Sequence, residues 1–339
     1  MPRFAAVAPL HPPADRHVHT EWSWDAAQGD MLATCARAQE LGLPAVAFTE
    51  HADFTAWVDQ GAREGLPGGS SKDAVSGSGA LPWQPAVSGE QVEAAGGRRW
   101  NWSGGRIAGR RWPVRVPAGA GRRGELDISG YWEAIDRCRA AHPSLRIESG
   151  IELGEPHLFP EKVALLLQHR PVDRVLGSLH CLEMEGELVD VSVPEMLDPG
   201  NAAQQFRRYL AGVLELVQSP APFAILAHLD YPKRYWPHEE LAFDERDFED
   251  EYRAVLEALA RSGRALELNS GRAAGAPRGP CPGPLPLRWW HQAGGQAVSF
   301  GSDAHRPGHL AAGLHEAAAL AQASGFRPGD HPFDMWGRA

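Results

Sequence analysis

Seven short apolar runs recur along the chain, and each ends abruptly in polar residues before a helical pattern begins. They read DRHVHT, PAVAFTEH, LRIESGIELGE, VDRVLGSLH, APFAILAHLD, RALELNSG and QAVSFGSDAH. Runs of this length with little alternation are typical of strands that are buried on both faces of a parallel sheet. The pattern therefore predicts seven buried strands.

The segments between the runs carry apolar residues at helical spacing. In DMLATCARAQELG, Asp30 is placed to cap the start of a helix, and Gly42 follows its end. In DFEDEYRAVLEALARSG, an apolar stripe is closed by Gly263. Similar patterns cover 129–142, 160–169, 202–217 and 310–325.

Strands that alternate with helices predict an α/β fold with a parallel sheet and right-handed crossovers. Seven such units can close into a TIM-like barrel. An open, doubly wound sheet is the structural alternative, and the strand count alone does not exclude it. A length of 339 residues fits one barrel domain, 1–339, that carries an insertion.

The segment 61–124 differs from the rest of the chain in composition. It contains 15 glycines and carries a net charge of +6, which leaves −16 for the other residues. Four tryptophans, Trp83, Trp100, Trp102 and Trp112, favour some docking onto the body. Because no helical or strand period persists, we expect a flexible Gly/Arg/Trp-rich insertion within the barrel domain.

Composition also limits the location and partners of the chain. No apolar run is long enough to span a membrane, and the N-terminal residues lack the apolar core of a secretion signal. The four cysteines lie far apart without a Cys-x-x-Cys pair, which favours reduced thiols in the cytoplasm. A net charge of −10 argues against a surface that wraps nucleic acid, although the basic insertion leaves that possibility open. The oligomeric state is not determined by these features.

Metal-competent side chains stand at the carboxyl end of nearly every predicted strand, where barrel sites are built. Because residues i and i+2 of a strand point to the same side, His17 and His19 aim two imidazoles at one point, as Asp303 and His305 do at the last strand. Imidazole and carboxylate ligands suit Zn, Mn or Fe, and the absence of a nearby cysteine favours a hydrolytic site. The strand-end set comprises His17, His19, His51, Glu152, His180, His228, Asp303 and His305.

The ordered motifs HVHT, FTEH, GIEL, GSLH, AHLD and GSDAH resemble the polymerase and histidinol phosphatase (PHP) family. The resemblance covers about residues 15–60 and 125–320. It implies a distorted seven-stranded (β/α)7 barrel, the PHP fold, with two or three divalent metal ions. Several such ions held together bind phosphate oxygens and activate water.

The resemblance also implies a ligand set for each ion. A first ion would take His17, His19, Glu152 and Asp303, and a second would share Glu152 and add His180 and His228. A third would use His51, His305 and Asp25, a position at which many relatives have histidine. Glu50 would orient His51 or a bound water without binding an ion itself.

Two segments resemble the histidinol-phosphate phosphatase branch of the family. LELNSG…PCPGP resembles one segment of that branch, and AHLDYPKRY resembles its segment after the fifth strand, in which a basic residue contacts substrate phosphate. By this likeness Arg234, Ser270 and Arg272 are candidates for phosphate binding; the alternative for both arginines is a solvated surface charge. Asp230 or a metal-bound water is the candidate general acid, and Glu152 and Asp303 are the other catalytic carboxylates.

The sequence therefore favours a metal-dependent phosphomonoesterase. The best candidate reaction is hydrolysis of L-histidinol phosphate to L-histidinol and phosphate, a step of histidine biosynthesis. One alternative is a phosphodiesterase or nuclease that acts on nucleotides or oligonucleotide ends, for which the basic, tryptophan-containing insertion could hold a single strand. A second alternative is a metal-binding barrel without catalysis, which serves as an interaction module.

Overall fold

The computed structural model describes residues 12–54, 56–58, 93–94, 98–99, 113–115, 126–184, 186–271 and 279–339. Its strands are β1 Asp15–Val18, β2 Ala45–Asp53, β3 Ala56–Val58, β4 Glu93–Ala94, β5 Arg98–Arg99, β6 Pro113–Arg115, β7 Arg146–Gly154, β8 Arg174–Ser178, β9 Cys181–Met184, β10 Glu187–Asp190, β11 Ile225–Leu226, β12 Ala265–Asn269, β13 Ala297–Gly301, β14 Phe326–Arg327 and β15 Trp336–Arg338. Its α-helices are α1 Met31–Glu40, α2 Ile128–Ala141, α3 Pro160–Leu167, α4 Ala202–Gln218, α5 Glu249–Ser262, α6 Pro284–Gln292 and α7 Leu314–Ala323.

The seven predicted strands form the parallel part of the main sheet, in the order β1-β2-β7-β8-β11-β12-β13. An antiparallel pair, β15 and β14, continues the sheet beyond β13. Residues that follow β13 also return to β1: the Asp303 amide donates to the His17 carbonyl at 2.7 Å, and the His19 amide donates to the Ala304 carbonyl at 2.8 Å. The sheet thus curls back on its first strand, and the prediction of a TIM-like barrel is confirmed.

Two helix ends have the capping residues that the sequence predicts. The Asp30 carboxylate caps α1 by accepting from the Ala33 amide at 2.8 Å. Gly263 ends α5 in the left-handed region, with φ of 72°. The predicted helix over 310–325 begins only at Leu314, because Gly313 adopts a φ of 75° just before it.

Apolar faces of the helices pack against the sheet and form the core. One large cluster joins α4, α5 and α6 through side chains such as Phe206, Tyr252 and Trp290, all essentially inaccessible to solvent. Each large apolar side chain buried in this way contributes about 2 kcal/mol from the hydrophobic effect. A second cluster, which contains Met31, Cys35 and Ile135, joins α1 and α2 to the first strands.

Two small sheets accompany the barrel: β3-β6-β10-β9 and β4-β5. β6 belongs to the 61–124 segment and pairs in parallel with β10, with Val114 opposite Leu188. Most of that segment, including its four tryptophans, lies outside the described residues. Among the helices that the structure describes, none is long and apolar enough to cross a membrane.

Candidate metal centre

Register aligns the carboxyl ends of the parallel strands on one side of the barrel. His51 of β2 lies opposite Glu152 of β7, and Gly154 of β7 lies opposite Ser178 of β8. The side chains of all nine residues predicted as metal ligands meet there: His17, His19, Asp25, His51, Glu152, His180, His228, Asp303 and His305. Their identity as ligands remains a prediction, because the structure contains no ion.

Glu152 occupies the middle of this cluster, and its two oxygens face different sets of histidines. The Oε2 atom lies 2.9 Å from His17 Nε2 and 3.2 Å from His19 Nε2. The Oε1 atom lies 2.8 Å from His228 Nε2 and 3.1 Å from His180 Nε2. A carboxylate in this position can bridge two cations, one on each side.

Asp303 completes the first set. Its Oδ1 atom lies 3.3 Å from His19 Nε2 and 3.7 Å from His17 Nε2. The backbone of Asp303 has a φ of 55°, which is uncommon for a residue other than glycine. Such local strain is concentrated at functional sites, where the surrounding structure holds it in place.

Asp25 forms an outer set with His51 and His305. Its Oδ2 atom lies 3.0 Å from His305 Nε2 and 3.4 Å from His51 Nε2. The side chains of Asp25 and His305 are 28% and 32% exposed, whereas those of His17, His19 and Glu152 are inaccessible to solvent. Asp25 and His305 are therefore the most exposed members of the cluster, whereas Asp303 is 11% exposed.

Hydrogen bonds fix the orientation of the inner imidazoles. Glu267 Oε1 lies 2.6 Å from His17 Nδ1, and because a carboxylate accepts, the Nδ1 atom carries the proton. The Nε2 atom of His17 then faces the cluster, where it would bind an ion. A side chain on Gly301 would occupy the space of this contact, since a Cβ atom there would lie 2.3 Å from Glu267 Oε1 and from His17 Cβ.

His19 is held by a hydrogen-bond relay through Ser23. The Ser23 hydroxyl donates to Glu50 Oε2 at 2.6 Å, so its oxygen accepts from the His51 amide and faces His19 Nδ1, both at 3.0 Å. Glu50 also accepts from the Thr20 amide and hydroxyl. Glu50 thus acts on His19 and on the backbone of His51 through Ser23, without a side-chain contact to the cluster.

The electrostatics of the cluster are those of closely packed opposite charges. Burial would raise the pKa of Glu152, but His17, His51 and His180 overcome it and hold that pKa well below its usual range. Burial would lower the pKa of His17, yet Glu267, Glu152 and Asp303 raise it well above the usual value. The cluster therefore keeps its carboxylates ionised and attracts positive charge, whether protons or metal cations.

The donor set fits divalent cations. Within the described part of the chain, four overlapping triads have ligand atoms within 4.8 Å of one another: His17, His19 and Asp303; His17, Glu152 and His228; His51, Glu152 and His180; His19, His51 and His305. All their donors are imidazole nitrogens and carboxylate oxygens. Such donors suit zinc, iron or manganese, and the absence of thiolates is typical of catalytic rather than structural sites.

Of the predicted phosphate-binding residues, Arg234 lies against this cluster. Its Nη1 donates to Asp303 Oδ2 at 2.8 Å, and its Nη2 donates to Asn269 Oδ1 at 2.7 Å. Its Nε is buried without a hydrogen-bond partner among the described residues. The alternative of a solvated surface charge is therefore wrong for Arg234. Arg272 lies outside the described residues.

Two other predicted roles require correction. The Ser270 hydroxyl is buried against the carbonyl oxygens of Ala312 and Gly301, at 2.7 and 3.1 Å, so it is not free to donate to a phosphate. Asp230 Oδ2 accepts from Lys233 Nζ and from the Tyr252 hydroxyl, each at 2.9 Å. Because these contacts hold Asp230 against Lys233 and Tyr252, we assign it to the support of the loop that follows His228.

Sequence reasoning missed the carboxylates behind the histidines. Glu267 lies in the middle of β12, and Asp53, the last residue of β2, places Oδ1 3.4 Å from His180 Nδ1. A glutamate inside the otherwise apolar run RALELN was the available signal. Buried carboxylates require a partner. The partner of Glu267 is His17 of β1, a strand that does not pair with β12 in the sheet.

Comparison with known proteins identifies relatives of the chain. The PHP domain family matches residues 15–271. A histidinol-phosphatase of Lactococcus lactis is 26% identical over 205 residues, which are 59% of this chain and 74% of that protein. A probable histidinol-phosphatase of Clostridium acetobutylicum is 22% identical over 204 residues, which are 60% of this chain and 76% of that protein.

Solved structures share the fold. A crystal structure of histidinol phosphate phosphatase from Lactococcus lactis, complexed with zinc, L-histidinol and phosphate, superposes with a TM-score of 0.67 at 20% identity. The match covers 96% of this chain and 98% of that one. A putative histidinol phosphatase from Listeria monocytogenes superposes with a TM-score of 0.59 at 15% identity, over 87% of this chain and 96% of that one.

Proposed function

The chain belongs to the PHP domain family, and from that membership we propose that it is a metal-dependent phosphomonoesterase that hydrolyses L-histidinol phosphate to L-histidinol and phosphate. The histidinol-phosphatase names of its relatives support the choice of substrate. The observation that carries the proposal is the position of Glu152, whose two oxygens face two separate sets of histidines.

We propose that the cluster holds up to three divalent ions, with zinc the first candidate and manganese or iron the others. His17, His19, Glu152 and Asp303 would hold one ion; Glu152, His180 and His228 a second; and Asp25, His51 and His305 a third. When bound, such ions lower the pKa of a coordinated water and polarise the phosphoryl oxygens.

The protein's own residues would position the phosphate. Arg234 lies beside Asp303, which holds its guanidinium at the edge of the cluster through a 2.8 Å bond. A guanidinium fixed in this way presents a planar array of N–H donors to phosphate oxygens. Because the side chain is already held in position, it does not have to rearrange when the substrate binds. Asn269 accepts from the same guanidinium and stops it from rotating away.

The net negative charge of the chain favours a substrate whose leaving group carries a positive charge. The residues outside 61–124 carry a net charge of −16, so their field attracts the protonated amine of histidinol toward the protein. The local positive charge of Arg234 and of the bound ions then selects the phosphate end of the same molecule. This arrangement favours a substrate that has a compact phosphate at one end and an amine at the other.

A panel of phosphate monoesters and diesters tests the class of reaction. We expect the metal-loaded protein to release phosphate from monoesters, and we expect His17→Ala to abolish this because that imidazole belongs to the first ligand set. Faster cleavage of diesters or of oligonucleotide ends would favour the nuclease alternative. A variant that lacks 61–124 would then show whether the basic insertion holds the nucleic acid.

A further inference from the structure

At the amino ends of the strands, far from the metal cluster, three arginines surround one carboxylate. Arg16 of β1, Arg146 of β7 and Arg174 of β8 all contact Glu148 of β7. We call these four residues the arginine cluster. Since Glu148 precedes Glu152 by four residues on one strand, the two carboxylates lie about 13 Å apart. The arginine cluster is therefore separate from the candidate metal centre.

Glu148 accepts its three shortest hydrogen bonds from two of the three arginines. Arg174 donates from Nε to Oε2 at 2.9 Å and from Nη2 to Oε1 at 3.2 Å. Arg146 donates from Nε to Oε1 at 2.8 Å. Arg16 reaches Oε2 only with its Nε atom, at 3.4 Å. Arg16 thus makes the longest contact with Glu148 in the arginine cluster.

The rest of the Arg16 guanidinium has no acceptor. Its Nη1 and Nη2 atoms are buried without a hydrogen-bond partner among the described residues, and the whole side chain is 1% exposed. A guanidinium does not shed its charge in a folded protein, so these N–H groups stay cationic. Arg16 and Glu148 are buried and Arg174 is only 13% exposed, so the excess positive charge at Arg16 is unfavourable unless an anion joins it.

We propose that the arginine cluster binds a small inorganic anion of halide size against the terminal N–H groups of Arg16. The anion balances the uncompensated charge and takes the donors that Glu148 does not reach. A small ion is required because Arg16 is only 1% exposed and Arg174 only 13%. Arg146 is the member of the arginine cluster nearest to solvent: it is 47% exposed, and its guanidinium carbon lies 4.3 Å from the centre of the Phe333 ring.

The location gives the anion a structural consequence. Arg16 directly precedes His17, which is predicted to be the first metal ligand of the chain. An anion on Arg16 therefore holds β1 in place immediately before that ligand. This inference does not depend on the identity of the substrate, and it stands or fails separately from the proposed phosphatase activity.

Crystals of the full-length, metal-loaded protein grown in sodium bromide test the site directly. We expect an anomalous bromide peak within hydrogen-bond distance of Arg16 Nη1 or Nη2. Ordered water at this position, or uninterrupted protein contacts, in crystals that show bromide elsewhere would overturn the proposal.

Thermal unfolding at constant ionic strength tests it in solution, with bromide replacing gluconate. We expect the midpoint of the wild type to rise with bromide and to saturate, and we expect Arg16→Met to lose that dependence. Arg170→Met is the matched control, because Arg170 is a half-exposed arginine paired with Asp136 outside the arginine cluster. Equal bromide dependence in the wild type and Arg16→Met would contradict the proposal, since any halide bound at the metal centre contributes to both.

A second variant keeps the test decisive should Arg16→Met fold poorly. Glu148→Gln removes the negative charge that competes with the anion for the same three arginines. We expect the bromide concentration at half-saturation to fall about tenfold in Glu148→Gln, because one unit of nearby repulsion is lost. An unchanged or higher half-saturating concentration would argue against an anion in the arginine cluster.

Discussion

The Oε1 atom of Glu267 lies 2.6 Å from the Nδ1 atom of His17, deep inside the barrel. The other oxygen of Glu267 accepts from the backbone amide of His228 at 2.8 Å. One carboxylate on β12 therefore orients a predicted ligand from β1 and anchors another from the segment after β11. Glu267 is a positioning residue for two ligand sets at once.

We expect that replacing Glu267 weakens metal binding, although no predicted ligand is removed. Glu267→Gln should lower the affinity for zinc about 10- to 100-fold, because the amide holds the His17 ring and its proton less firmly. Competition with a chelator measures the affinity. Glu257→Gln, an exposed position on α5, is the control. Equal zinc affinity in Glu267→Gln and the wild type would contradict the positioning role.

The outer set is expected to release its ion first. Asp25 and His305 are partly exposed, and Asp25 lies on the loop between β1 and α1 rather than on a strand. Graded chelation should therefore remove one ion per chain before the other two, as measured by elemental analysis. Asp25→Ala should be purified with one ion fewer, whereas Asp244→Ala, an exposed control, should match the wild type. Simultaneous loss of all ions would show that the outer set is not distinct.

Arg234 is expected to act on phosphate affinity. Arg234→Gln should weaken inhibition by inorganic phosphate and lower kcat/KM for phosphomonoesters about 100-fold, since a charge-assisted, two-point contact is lost. Arg234→Lys should recover only part of this effect, because an ammonium lacks the planar donor array. Arg288→Gln, at an exposed position on α6, is the control. Unchanged phosphate inhibition in Arg234→Gln would exclude Arg234 from the substrate site.

His157 is expected to make stability depend on pH. Burial lowers the pKa of His157 to about 4, and its Nδ1 atom is buried without a described partner. An unfolded histidine has a pKa of about 6.5, so below that pH the unfolded state binds the extra proton and folding is penalised. The contribution of His157 is fully present at pH 7 and should fall by about 2 kcal/mol by pH 4.5.

Urea unfolding of the wild type and His157→Phe at both pH values measures this contribution. The variant should lose less stability between pH 7 and 4.5 than the wild type. His315→Phe, which alters an exposed histidine of α7, should follow the wild type. A parallel loss in His157→Phe and the wild type would contradict the assignment.

Much of the barrel could be predicted because its strands are buried on both faces. Continuous apolar runs and helix caps such as Asp30 and Gly263 are local signals, and the structure confirms both. Helix α6 was missed because PLPLRWWHQ contains two prolines, which read as loop residues. Both prolines fall in the first turn of the helix, where a missing N–H costs little.

The partners of the supporting carboxylates and of the arginine cluster could not be predicted from local patterns. Glu267, Asp53 and Glu148 belong to strands whose neighbours come from distant parts of the sequence, so their partners appear only when the sheet is assembled. Ser270 was misassigned for the same reason. The Ser270 hydroxyl does not face a phosphate, because it donates its hydrogen bond to the Ala312 carbonyl, 42 residues away.

The most direct test of the central claim is kcat/KM of the zinc-loaded protein on L-histidinol phosphate, compared with a simple aryl phosphate. His17→Ala serves as the background. The proposed function predicts a preference for L-histidinol phosphate of at least about 100-fold, since the substrate's amine and phosphate ends are both bound in the transition state. Turnover of L-histidinol phosphate no faster than that of the aryl phosphate, or no faster than that of His17→Ala, would contradict it.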